Sequence, residues 1–74
     1  MIIMEIGRVC IKTKGREAGQ KVVVLSDVKS GKVLVDGEKV KRKECNVLHL
    51  FPLKDKVSVG KDAKHEEVVK VLKG

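Results

Sequence analysis

The sequence predicts a mainly β domain, five short strands followed by one short C-terminal α-helix. Short apolar runs, some alternating and one continuous, recur between residues 6 and 59. Turn-forming pairs, Ser30-Gly31 and Asp36-Gly37, punctuate them. After Gly60 the apolar period changes from that of a strand to that of a helix.

Residues 6–12 alternate, with Val9 and Ile11 on one face and Arg8, Cys10 and Lys12 on the other. Gly7 marks a bulge or a close backbone approach. Residues 14–21, Lys-Gly-Arg-Glu-Ala-Gly-Gln-Lys, form a basic loop turning on two glycines. Residues 21–28 are apolar without alternation, as in a central strand covered on both faces. Ser30-Gly31 turns the chain into a third strand, Val33-Leu34-Val35, and Asp36-Gly37 closes it. In residues 40–48, Cys45 and Val47 share a face while Val40 falls on the opposite phase, which requires a bulge or break near residues 42–44. Residues 48–53 read as a turn with apolar anchors, because Pro52 cannot donate into a sheet. Val57 and Val59 then supply the fifth strand. A helix is predicted over about 63–73, with Asp62 as N-cap, Glu66 and Glu67 early, and Lys70 and Lys73 late. His65, Val68, Val69 and Leu72 share one of its faces, and its valines make it dependent on docking. His65 reads as a helix-surface residue. Five bent strands and one helix suggest a small SH3-like barrel, although composition alone leaves an OB-like barrel open.

With 74 residues the chain is expected to form a single domain, 1–74. A domain of this size buries only roughly 60% of its unfolded surface, leaving little room for a deep catalytic pocket. Seventeen Lys plus Arg against ten Asp plus Glu give a net charge of +7, concentrated in residues 1–21 and 39–49. Such a bias points to a polyanion, either nucleic acid or an anionic membrane. No apolar run has transmembrane length and residues 1–4 are too short for a signal sequence, so no membrane association and a cytoplasmic setting are expected. Cys10 and Cys45 are then expected as thiols, although one disulfide is arithmetically open. Phe51 is the only Phe, Tyr or Trp, which argues against readers that stack successive bases on aromatic platforms. Phosphate and sugar contacts to folded, largely paired RNA need only Lys, Arg, backbone N–H and a few polar side chains.

Two stretches carry the candidate site. In the first, Gly15 and Gly19 permit converging backbone N–H groups, and Lys14, Arg16 and Lys21 add charge. An ordinary strand connection with solvated charges has the same composition. The spacing is too short for a nucleotide-binding P-loop. In the second, Lys39, Lys41, Arg42 and Lys43 break the strand pattern, although a charge run also serves as a solvated edge and Glu44 inserts an opposing charge. Asn46 and His49 are polar residues among apolar ones, suited to turn chemistry or to sugar and base edges. Cys45 and His49 with Cys10 fall short of the four paired ligands of a zinc site, and a catalytic Cys–His pair lacks an orienting third group. Neither metal, cofactor, small-molecule substrate nor enzymatic activity is expected.

Ile6-Gly7-Arg8-Val9-Cys10, followed by Gly15-Arg16-Glu17-Ala18-Gly19, resembles the KOW motif that opens an archaeal and eukaryotic large-subunit ribosomal protein family, fourteen-e. Residues 40–43 together with Cys45-Asn46-Val47 and His49-Leu50 resemble that family's second block, and Glu66-Glu67-Val68 fits its C-terminal part. The resemblance implies an SH3-like barrel bound to large-subunit ribosomal RNA, with neighbouring ribosomal proteins and no catalytic role. Carried over by position, it makes Arg8, Lys12, Lys14, Gly15, Arg16 and Gly19 contacts in the first block, and Arg42, Lys43, Asn46 and His49 in the second; the basic run adds Lys41. Glu44 stands where the family is usually basic, and Phe51 where it is more often acidic. The absence of a long basic tail suggests an archaeal type. The alternative is a stand-alone KOW interaction module of a transcription or translation factor, binding protein.

Overall fold

The structure is a computed structural model that describes residues 5–59 and 63–73. Five strands form one antiparallel sheet: β1 (Arg8–Lys12), β2 (Lys21–Val24), β3 (Lys32–Asp36), β4 (Lys43–Asn46) and β5 (Leu50–Lys56), in the order β4-β3-β2-β1-β5. A 3₁₀ turn, Val47–His49, links β4 to β5, and one helix, α1 (His65–Lys73), follows. This is the mainly β, five-stranded arrangement with a terminal helix that the sequence predicts.

The barrel expectation needs one correction: the sheet is not closed, since β4 and β5 are its two edges. The chain leaves the four-residue β4 through the 3₁₀ turn, whose amides are taken elsewhere. Val47 N–H donates to Gly31 O at 2.9 Å, and Leu48 N–H to the Asn46 side chain at 2.9 Å.

β2 is the centre. Val22, Val23, Val24 and Leu25 are all fully buried, as the unalternating apolar run predicts. Val22 and Val24 face one cluster with Cys10, Val33, Val35, Val40, Cys45 and Leu50. Val23 and Leu25 face the other, with Val9, Ala63 and Val68. The strand is shorter than the expected 21–28, and Val28 is exposed. Leu25 continues the pairing through Leu34 O at 2.7 Å before the chain turns at Ser30 and Gly31, both with positive φ.

The phase conflict in residues 40–48 resolves as a break. Val40 belongs to the turn before β4, where its carbonyl accepts from Gly37 N–H at 3.1 Å, so it reaches the core without obeying β4's alternation. The fifth strand is also corrected. It runs Leu50–Lys56, not around Val57–Val59, and Pro52 lies within it. An edge strand tolerates this because it pairs only with β1, so one row of its amides needs no partner. Val57 and Val59 instead pack, half-buried, against the second cluster.

Gly7 supplies the close approach. Its φ is +91°, and a Cβ there would lie 2.3 Å from Val57 O. Its N–H donates to Val24 O and its carbonyl accepts from Val57 N–H, both at 2.8 Å, which ties three segments together.

α1 sits against the second cluster through Val68, fully buried, and the half-buried Leu72. Burial of one Val is worth about 1.5–3 kcal/mol, a large share for a nine-residue helix. The predicted N-cap, Asp62, lies outside the described residues. His65 is more than a surface residue, because its Nδ1 lies 2.8 Å from Oδ1 of Asp36. That carboxylate is fully buried and also accepts from Gly37 N–H at 2.9 Å and from the Arg42 guanidinium at 3.2 Å. Arg42 in turn donates to the Ala63 carbonyl, so one buried charge joins β3, the turn after it and the start of the helix.

Two outcomes follow for stability. Gly7→Ala lowers the unfolding free energy by more than about 1 kcal/mol in urea titrations, because both φ and the Val57 carbonyl oppose a side chain. Arg42→Ala costs about 1–3 kcal/mol by the same measurement, as it removes the guanidinium from a buried carboxylate.

Candidate nucleic-acid interface

The β1–β2 loop is built on backbone hydrogen bonds at its root. Lys12 N–H donates to Gln20 O at 3.0 Å, and Gly19 N–H to Lys12 O at 2.7 Å. Within the loop, Ala18 N–H donates to Gly15 O and Gln20 N–H to Glu17 O. Gly15 and Gly19 have φ of +84° and +89°, conformations that a Cβ opposes, and the space beside Gly19 is open. The backbone N–H groups of residues 14–17 donate to no other group among the described residues. Lys14 and Arg16 are exposed and make no ion pair among the described residues. The loop therefore presents two cations and several unused donors on one outward turn.

Glu17 joins this loop to the second stretch. Its Oε1 accepts from Lys12 at 3.0 Å and also from Lys43 at the start of β4. The ammonium of Lys43 is the main cause, and that of Lys12 the next, that hold the Glu17 carboxyl below its ordinary pKa. The Lys12 pKa is correspondingly raised, chiefly by its hydrogen bond to Glu17. A second tie is made by backbone, with Thr13 N–H donating to His49 O at 2.8 Å. The two basic stretches, distant in sequence, are thus adjacent in space.

The expected contact residues divide into two groups. Lys14, Gly15, Arg16 and Gly19 lie on the loop, with Lys43 and the half-buried His49 beside it. Lys41 is exposed on the turn before β4. The others are engaged by groups of the fold itself, Arg42 with its side chain still exposed. Lys12 is buried on Glu17. Arg8 donates to the carbonyls of Leu53 and Lys54 and pairs with Glu5 at 3.0 Å. Arg42 serves Asp36, and Asn46 caps the 3₁₀ turn. The sequence alone does not single out Glu17 as the connector or Asp36 as a buried anchor. For Glu17 the signal was an acid five residues after Lys12 in an otherwise basic loop.

Cys10 and Cys45 are free thiols in the first cluster, and burial pushes the Cys10 thiol up to about 11. Such a thiol is a core residue, not a nucleophile. Among the described residues no three His, Cys, Asp or Glu side chains cluster as metal ligands.

Because the folded pKa of Glu17 is lowered, its contribution to stability is complete above the ordinary carboxylate range and lost as pH falls through the depressed value. Glu17→Gln therefore flattens the acid limb of the stability–pH curve, read as the urea midpoint from pH 7 to pH 2.

Relatives with names are found along nearly the whole length. The chain is 45% identical, over a 76-residue alignment, to large ribosomal subunit protein eL14 of Sulfolobus acidocaldarius, and 46% identical to that of Saccharolobus solfataricus. Each alignment takes in 97% of this chain and 79% of the relative. No protein-family model matches the chain. The relatives are named as ribosomal proteins and not as enzymes, and at this identity and coverage the chain belongs to the eL14 family of large ribosomal subunit proteins.

Proposed function

We propose that this protein is a structural constituent of the large ribosomal subunit, cytoplasmic with the ribosome, that grips ribosomal RNA through the β1–β2 loop and the adjoining start of β4. The observation that carries this reading is the double acceptance by Glu17. One carboxylate lies between two lysines that would otherwise repel across the junction and leaves one net positive charge there, while Lys14 and Arg16 remain outward. The result is one continuous basic surface.

Lys14, Arg16, Lys41 and Lys43 neutralise phosphates, the unused amides of residues 14–17 donate to phosphate oxygens, and the open side of Gly19 lets the RNA backbone approach. His49, at the root of the loop, adds a polar contact. Arg8, Lys12, Arg42 and Asn46 support this surface through their own bonds to the fold. Neighbouring ribosomal proteins are the other partners that a place in the subunit implies. The whole chain acts as one domain in this reading, with the helix bracing the sheet.

Binding that depends on displaced counterions weakens linearly in log–log terms with salt, by roughly 0.7–0.9 per phosphate contacted. Filter-binding titrations with large-subunit rRNA from Saccharolobus solfataricus therefore show a steep fall from 50 to 200 mM salt. Arg16→Ala lowers affinity and reduces the slope by about 1. A flat salt dependence, or an unchanged slope for Arg16→Ala, rejects the loop as the phosphate grip.

A further inference from the structure

Side chains on the helix-side face of the sheet stand in rows across the strands. Val9 and Val23, opposite one another, lie with Leu53 in the cluster under the helix. The next row toward the β1–β2 loop is Lys21, Ile11 and Phe51, which are direct cross-strand neighbours and so share a face. Helix α1 does not cover this row: Ile11 is half-buried, Lys21 is exposed and Phe51 is 61% exposed. Leu50, one residue earlier, enters the opposite cluster, so the strand's alternation turns the Phe51 ring outward. The row also abuts the loop, since Lys12 pairs with Leu50 and Thr13 bonds the His49 carbonyl. The chain's one large aromatic ring thus serves no core and stands at the root of the basic loop.

We propose that Phe51 is a stacking platform for one unpaired base of the RNA held by the loop, with Lys21 receiving a neighbouring phosphate. This rests on the reading above that the loop binds RNA. Two observations choose a nucleotide over a protein as the occupant. The row is bounded by a cation on one side and continues into the cationic loop, which complements a polyanion. It is also one residue deep between loop and helix, whereas a stable protein interface buries about 800 Å² on each partner. A single ring face is enough for a single base, and stacking tolerates any sequence because each base has a π-face.

The test uses Phe51→Ala, Phe51→Leu and Phe51→Trp, with Arg16→Ala alongside, against large-subunit rRNA from Saccharolobus solfataricus. An exposed position leaves the urea midpoints of the three Phe51 variants close to that of the parent protein, which confirms their folding. Phe51→Ala and Phe51→Leu are expected to bind about 5- to 100-fold more weakly with an unchanged salt slope, while Phe51→Trp keeps its affinity. The protein has no Trp of its own, so the indole in Phe51→Trp is a clean reporter, expected to be quenched by the rRNA. Parental binding by Phe51→Leu, or an unquenched indole in the bound state, overturns the platform. If Arg16→Ala is weakened in those same titrations, the loop reading survives that result; if it too binds normally, the loop reading falls as well. Protection of the indole by ribosomal proteins of the subunit but not by the rRNA assigns the row to a protein partner and overturns the proposal.

Discussion

A carboxylate without access to water must be answered by its neighbours, and Asp36 is answered by three segments at once. Gly37 gives a backbone amide, Arg42 a guanidinium and His65 a ring nitrogen. Arg42 also reaches the Ala63 carbonyl, so the same side chain that balances the charge holds the segment leading into α1. The helix is short and rich in valine, and helices of that kind do not persist alone in water. Its position follows from this charge pairing and from Val68 beneath it. An apolar contact alone would permit the helix to slide; the directional bonds to Asp36 set its register.

A second carboxylate shows the same chemistry at the surface. Glu17 meets two lysines from different strands and keeps them from repelling one another. It spends part of the chain's positive charge to fix the shape of what remains. The cations that touch Glu17 are organised, and those beyond it, Lys14 and Arg16, are exposed and make no ion pair among the described residues. Salt screens the exposed Lys43 arm of this junction, and the Thr13–His49 backbone bond holds the two stretches together beside it.

What the sequence disclosed follows from the range of the interactions concerned. β2 was legible because an unbroken apolar run has only one comfortable place, the middle of a sheet covered on both faces. The Ser30-Gly31 turn and the special backbone at Gly7 are legible because positive φ is a local demand that glycine answers, although the Val57 carbonyl that Gly7 meets is not local. β5 is hidden in the sequence because Pro52 reads as a sheet breaker, and whether a strand lies at an edge depends on the whole order β4-β3-β2-β1-β5. The openness of the sheet was hidden for the same reason. Within the candidate site, the loop was visible in its glycines and charges. The division of labour among Arg8, Lys12, Arg42 and Asn46 was not. A basic residue spells the same in a sequence whether it is exposed or meets a buried carboxylate, as Arg42 meets Asp36, and only the folded chain separates the two.

β2 has a consequence for how the molecule holds together. Val22 and Val24 complete the cluster on one side of the sheet, while Val23 and Leu25 complete the cluster under the helix. The two clusters are therefore opposite sides of the same four residues, and neither is a separable layer. Detaching the helix would strip one face of the strand on which the other cluster is built. Loss of the core around Cys10 and Val33 would, in turn, leave the helix without a floor. Disturbance at either side reaches the other through a single thickness of backbone, and the basic loop, which begins where β1 hands the chain to β2, is anchored to that shared wall.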